Sequence, residues 1–131
     1  MSAENQEQII TAWLDKAADS LREAELLLRA EHAQGTINRL YYACFQGVTA
    51  LLIRDGISSK SHKGVKAKFG EHYVRTGRVT VKHNATLTEL FKLRLQADYA
   101  ADADFDLADA QRLLEPTREF LVTIRSLIEE A

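Results

Sequence analysis

Apolar side chains recur at three- and four-residue intervals along almost the whole of this chain, and no stretch alternates apolar with polar residues convincingly enough to argue for a strand. That period gathers side chains on one face of an α-helix, so the chain is expected to be all-α. In the first segment Ile10, Trp13, Leu14, Ala17, Leu21, Ala24 and Leu28 keep the spacing, with Asp15, Asp19, Arg22 and Glu25 on other faces. Gly35 is expected to end it. Ile37, Leu40, Tyr41, Cys44, Phe45, Val48, Leu51 and Leu52 then form a stripe wide enough for a central helix, which Gly56 is expected to stop.

From Ile57 to Gly77 the signal is weaker. Val65, Phe69 and Tyr73 predict a short helix even though Gly64 and Gly70 lower its propensity. The next helix carries Leu87, Leu90, Phe91, Arg94 and Asp98 along one stripe, with Leu93 and Ala97 beside it. Asp106 and Asp109 fit an N-cap and a first-turn acid for a last helix through Leu107, Ala110, Leu114, Leu121, Ile124 and Ile128. Pro116 falls inside that helix and is expected to kink it. The reading is an up-and-down four-helix bundle with an additional short helix, residues 1–131 making a single domain. A chain of 131 residues is long enough to bury its own core.

An apolar fraction of 46% excludes wholesale disorder, and Cys44 alone excludes a disulfide scaffold. The first residues lack the basic start and apolar run of a signal peptide. The longest uncharged apolar stretch, Leu40 to Ile53, is 14 residues long and too short to span a bilayer. The expectation is a soluble, cytoplasmic protein without a membrane partner. Its net charge of −2 hides a polarised distribution: residues 54–94 hold 10 basic and 3 acidic side chains, with acidic segments before and after. Such a segment can dock a phosphate backbone or an acidic partner, or lie against acidic helices of its own fold.

Three groups of residues could carry chemistry. Arg94 and Asp98, four residues apart, continue an apolar stripe, so both charges are expected at or near the bundle seam. They are either a register-fixing pair, with Tyr99 nearby, or a phosphate clamp built on the planar guanidinium. Arg39, Tyr42 and Gln46 share one polar edge of the second helix, and an Arg beside tyrosines can hold a nucleotide by phosphate pairing and base stacking. The same edge could seal against another helix. Lys60-Ser61-His62-Lys63-Gly64 opens the short helix, followed by Lys66 and Lys68; free N–H groups there welcome an anion, and solvated lysines around a Ser cap are the plainer account.

Other chemistries fail on spacing. Asp102, Asp104 and Asp106 imitate the start of a calcium loop, but Leu107 and Leu113 stand where its Gly and Glu are needed. No His or Cys pair has zinc spacing, and no glycine-rich phosphate loop is present. No metal or cofactor is expected.

Several short motifs occur in order: Arg39-Leu40-Tyr41-Tyr42-Ala43-Cys44-Phe45, Ala50-Leu51-Leu52, Gly56, Lys60-Ser61-His62-Lys63-Gly64-Val65, Phe69-Gly70, Val74-Arg75-Thr76-Gly77 and Arg94-Leu95-Gln96-Ala97-Asp98-Tyr99. Together they resemble a small bacterial and archaeal branch of the HEPN-domain proteins, from about Leu14 to Ile128. The resemblance implies a mostly up-and-down helical bundle. It also implies a place beside a minimal nucleotidyltransferase in a toxin–antitoxin or related defence module. Many such proteins are metal-independent ribonucleases that carry Arg, four to six residues, then His on the penultimate long helix, and work as dimers. This chain departs there: Arg94 holds the Arg position, but Ala97, Asp98 and Tyr99 follow, and an anionic Asp98 cannot donate a proton as an imidazolium does. Arg78 and His83 satisfy the bare spacing but precede the strongest part of that helix.

Two classes of function follow. In one, the protein is a nucleotide- or RNA-binding effector, with Arg39, His62 and Arg94 gathered on a phosphate. Cleavage, as a metal-independent endoribonuclease, would then need Arg94 with His62 in place of the missing motif His. Tyr42, Lys60, Lys63, Asp98 and Tyr99 complete the candidate binding set with Arg39. In the other, it is a non-catalytic helical module that binds a nucleotidyltransferase or itself. A homodimer is expected in either case.

Overall fold

A computed structural model of the chain describes residues 2–100 and 104–130. They form five helices, α1 (Ala3–Arg29), α2 (Ala33–Arg54), α3 (His62–Phe69), α4 (Val81–Tyr99) and α5 (Leu107–Glu129). No strand occurs among the described residues, and no helix among them is long and apolar enough to cross a membrane.

Gly35 does not end the first helix; it lies within the first turn of α2. The break comes earlier, at Glu31, whose φ of 61° is the left-handed conformation usually given to glycine. There the N–H of His32 donates to the Leu27 carbonyl at 2.9 Å and that of Glu31 to Leu28 at 3.0 Å, which satisfies the last carbonyls of α1. Gly35 instead permits close approach: a Cβ there would lie 3.2 Å from Cδ1 of Leu27 on α1. Gly56, at φ 70°, stops α2 as expected, and Gly56 and Ile57 donate to Ile53 and Leu52 in the same pattern.

α2 is the central element. Leu40, Tyr41, Ala43, Cys44, Val48, Ala50 and Leu51 are all buried, and α1, α3, α4 and α5 pack around it. Gln46, expected on a polar edge, is buried against α1. Its amide lies 2.7 Å from the Ser20 hydroxyl, and with its NH₂ turned that way it also reaches the carbonyls of Lys16 and Tyr42 at 3.1 Å. The reason is geometric: a wide apolar stripe leaves a residue at this position no route to solvent except through α1, so it satisfies its hydrogen bonds there.

Ser61 caps α3 by accepting from Gly64 N–H at 2.9 Å, and Val65, Phe69 and Tyr73 are buried as expected. The helix runs on into a π-helical turn, Gly70–Val74, that brings the Tyr73 hydroxyl to Asp55 at 2.5 Å. Asp106 caps α5 by accepting from Ala108 N–H at 3.0 Å, and α5 continues through Pro116. Arg112 holds both carboxylate oxygens of Glu89, at 3.0 and 2.6 Å, which ties α5 to α4.

Candidate functional site

Where α2, α3 and α4 meet, Tyr41 carries the arrangement. Its ring is buried, 6.1 Å from the rings of both Phe45 and Phe91. Its hydroxyl lies 2.7 Å from Nδ1 of His62. Burial pushes the phenol up to about 12 against the opposing pull of Arg94, so Tyr41 stays protonated and able to donate. His62 opens α3, with its imidazole stacked on Phe45 at 4.2 Å. Burial first, then the Arg94 charge, hold His62 below the usual imidazole value, and Asp98 pulls the other way. Nε2 of His62 has no hydrogen-bond partner among the described residues.

Two guanidiniums share the neighbouring ring. Arg39 lies 5.0 Å from the centre of Tyr42 and Arg94 lies 5.9 Å from it, while Arg94 is also 5.2 Å from the centre of Tyr41. Arg94 pairs with Asp98 at 3.2 Å, and Arg39 faces Glu23 at 3.6 Å. The Arg94 side chain is 17% exposed and that of Asp98 47%, so the pair is not sealed in the seam: the cation is half-enclosed by aromatic rings and the carboxylate reaches water. Arg39, His62 and Arg94 therefore converge, through Tyr41 and Tyr42, on one corner of the molecule. Two planar cations and a neutral imidazole with a free nitrogen can take an oxyanion between them.

The other candidates are arranged around this corner. Lys63 is exposed on α3, one residue past His62, and Tyr99 is 85% exposed near the end of α4. Lys60 and His62 line a pocket of about 250 Å³ with Trp13, Phe45 and Ser59. Arg78 and His83 do not form a pair: Arg78 faces Asp55 and Glu130, at 3.5 and 3.7 Å, whereas His83 bonds Thr123 at 3.0 Å. Asp104 is exposed and Asp106 is engaged as a helix cap, while Asp102 lies outside the described residues. Among the described residues no three His, Cys, Asp or Glu side chains gather as they would around a metal ion.

The basic segment divides in two. Arg54, Lys68, Arg78, Lys82 and Arg94 face carboxylates of the chain itself. Lys60, Lys63, Lys66, Arg75 and Lys92 face none among the described residues. The reading in which basic residues lie against acidic groups of the same fold thus holds for the first set. The part of the site missed by sequence reasoning is the role of Tyr41, because its 21-residue separation from His62 leaves no local spacing to detect.

The chain is similar to several known proteins. The family model described as the HEPN domain matches residues 10–127. A "UPF0332 protein" of Thermotoga maritima is 35% identical over 124 residues, covering 95% of this chain and 94% of that one. Two Methanocaldococcus jannaschii proteins are also similar. "Putative toxin MJ0142" is 32% identical, with 82% of this chain and 74% of that one covered. "Putative toxin MJ0605" is 27% identical, with 92% and 90% covered.

Proposed function

The chain belongs to the HEPN-domain family, and from that premise we propose that it is an effector of a toxin–antitoxin or related defence module that binds RNA or a nucleotide through a phosphate. The observation that carries the reading is the convergence of Arg39, Arg94 and His62 on the Tyr41–Tyr42 pair. The relatives named as toxins support the module. A minimal nucleotidyltransferase is the partner proposed, and a homodimer the assembly, with Leu26 of α1 and Val122 of α5, 61% and 65% exposed, as apolar surface available to a second copy. The long helices α1, α4 and α5, packed around α2, support the up-and-down arrangement.

In this reading Arg94 and Arg39 take the phosphate oxygens, the neighbouring Tyr42 ring offers a stacking surface, and Asp98 orients Arg94. His62, neutral at physiological pH, hydrogen-bonds the phosphate through Nε2–H while the Tyr41 hydroxyl donates to Nδ1. Cleavage would use the other tautomer, in which Nδ1–H donates to the Tyr41 oxygen. Nε2 then removes the proton of a ribose 2′-hydroxyl, the 2′ oxygen attacks the adjacent phosphorus, and the 5′ oxygen leaves with a proton from water.

The test is incubation of the wild type and Arg94→Ala with defined RNAs in chelator, read for binding and for cleavage. Binding by the wild type that Arg94→Ala loses, at similar thermal stability, is the expected result. RNA bound and left intact would assign the non-catalytic role, and unaltered binding by Arg94→Ala would remove that residue from the site.

A further inference from the structure

Between α3 and α4 runs an open groove of about 680 Å³ that the phosphate corner does not use. Ala67, Phe91 and Leu95 give it an apolar lining. Lys63 and Lys66 on the α3 side and Lys92 on the α4 side stand around it, none of them facing a carboxylate among the described residues. The Lys66 ammonium lies 5.9 Å from the centre of the Phe91 ring, so one cation already sits over the aromatic lining. Thr88 and Gln96 add hydrogen-bonding groups, and Tyr99 adds a second ring at the α4 end.

An occupant matched to these walls has a flat apolar face, polar edges and several negative charges along its length. The groove also adjoins the phosphate corner: Lys63 follows His62 in the chain, Phe91 precedes Arg94 by one helical turn, and the Phe91 ring is 6.1 Å from that of Tyr41. A single strand of nucleic acid meets both conditions, because its unpaired bases offer bare faces to aromatic and apolar side chains while its phosphates repeat along the backbone. A duplex keeps those faces stacked inside.

Resting on the phosphate reading above, we propose that the α3–α4 groove is a base-binding subsite. It takes an unpaired base of a single-stranded nucleic acid, close along the strand to the phosphate held by Arg94 and His62. Phe91, Leu95 and Tyr99 contact the base, Gln96 and Thr88 meet its polar edge, and Lys63, Lys66 and Lys92 hold the flanking phosphates. The protein thereby selects single strands over duplexes.

The experiment measures binding of a labelled eight-nucleotide RNA, of the same RNA with one abasic position moved along it, and of its duplex form. Wild type is compared with Leu95→Asp, Lys92→Ala and Arg94→Ala, each checked by thermal melting. One abasic position is expected to weaken wild-type binding about tenfold, with little effect elsewhere, and to cost Leu95→Asp less than about twofold. The duplex is expected to bind more weakly than the single strand. A flat abasic scan, with binding still lost in Arg94→Ala, overturns the groove assignment and leaves the phosphate reading standing. No RNA binding by the wild type overturns the groove assignment together with the RNA form of the phosphate reading. Should a synthetic acidic Leu/Glu helix bind the wild type, lose binding in Leu95→Asp and leave RNA binding undisturbed, the groove belongs to a protein partner instead. Should Leu95→Asp fail to fold, Tyr99→Ala, an exposed position on the groove, replaces it in the same abasic scan.

Discussion

The Tyr41 hydroxyl and Nδ1 of His62 lie 2.7 Å apart, and this bond joins the buried face of α2 to the first residue of α3. It leaves Nε2 as the ring nitrogen open to a ligand, and it places the imidazole where burial and the Arg94 charge favour its neutral form.

The titration of His62 follows directly. Imidazole proton shifts followed by NMR should titrate below the ordinary value of about 6.5. Arg94→Ala should move the midpoint up and Asp98→Asn should move it down. His83, lowered by burial and by Lys82, should respond to neither substitution at α4's far end. Because the folded chain takes up both protons only at lower pH than the unfolded chain does, their contribution to stability is complete above about pH 6.5. It drains away as pH falls through the folded values. A midpoint for His62 above 6.5 would contradict the arrangement.

Arg94→Ala should cost little stability. Asp98 already reaches water, so removing its partner leaves no buried charge, and the loss is limited to the aromatic contacts and a partly screened pair, about 1–2 kcal/mol. Asp98→Asn should cost less than about 1 kcal/mol. A loss of several kcal/mol in chemical denaturation would mark the pair as structural.

Salt dependence should separate the two halves of the basic segment. For a single-stranded RNA, replacing Lys63, Lys66 and Lys92 together by Ala should reduce the slope of log affinity against log salt by up to about two, since each phosphate contact contributes about 0.7. Replacing Lys68, which faces Glu71 at 3.7 Å, should leave the slope unchanged. Equal slopes in all variants would assign the unpaired lysines no phosphate.

Glu31→Gly should stabilise the fold by about 1 kcal/mol, because glycine adopts the left-handed conformation there without a Cβ clash. A shift of the denaturation midpoint to higher denaturant checks it; a shift to lower denaturant would show that the Glu31 side chain contributes more than its backbone costs.

Glu31 also shows where sequence reasoning runs out. The helical class, the core stripe of α2, the Gly56 stop and the Asp106 cap were all legible, because each is a local pattern. The α1–α2 turn was not, because its left-handed residue is a glutamate and the nearby glycine serves helix packing instead. Gln46 misled for a related reason: helical spacing tells which residues share an edge but not whether another helix covers it. At the site, Arg94 with Asp98 and Arg39 with Tyr42 stood out by spacing. The gathering of both pairs with His62 depends on how three helices meet, which no single-segment pattern carries.

The Asp55 corner has a consequence for how the protein is made. Asp55 binds Tyr73 and Arg78, Arg54 donates to the Glu130 carbonyl, and Arg78 also faces the Glu130 carboxylate. The far end of α5 therefore fastens the base of the segment that carries α3, although α5 contributes no residue to the corner formed by Tyr41, His62 and Arg94. Translation delivers Tyr41, His62 and Arg94 well before Glu130. A nascent chain thus holds these three side chains before the Asp55 clasp can close on Glu130.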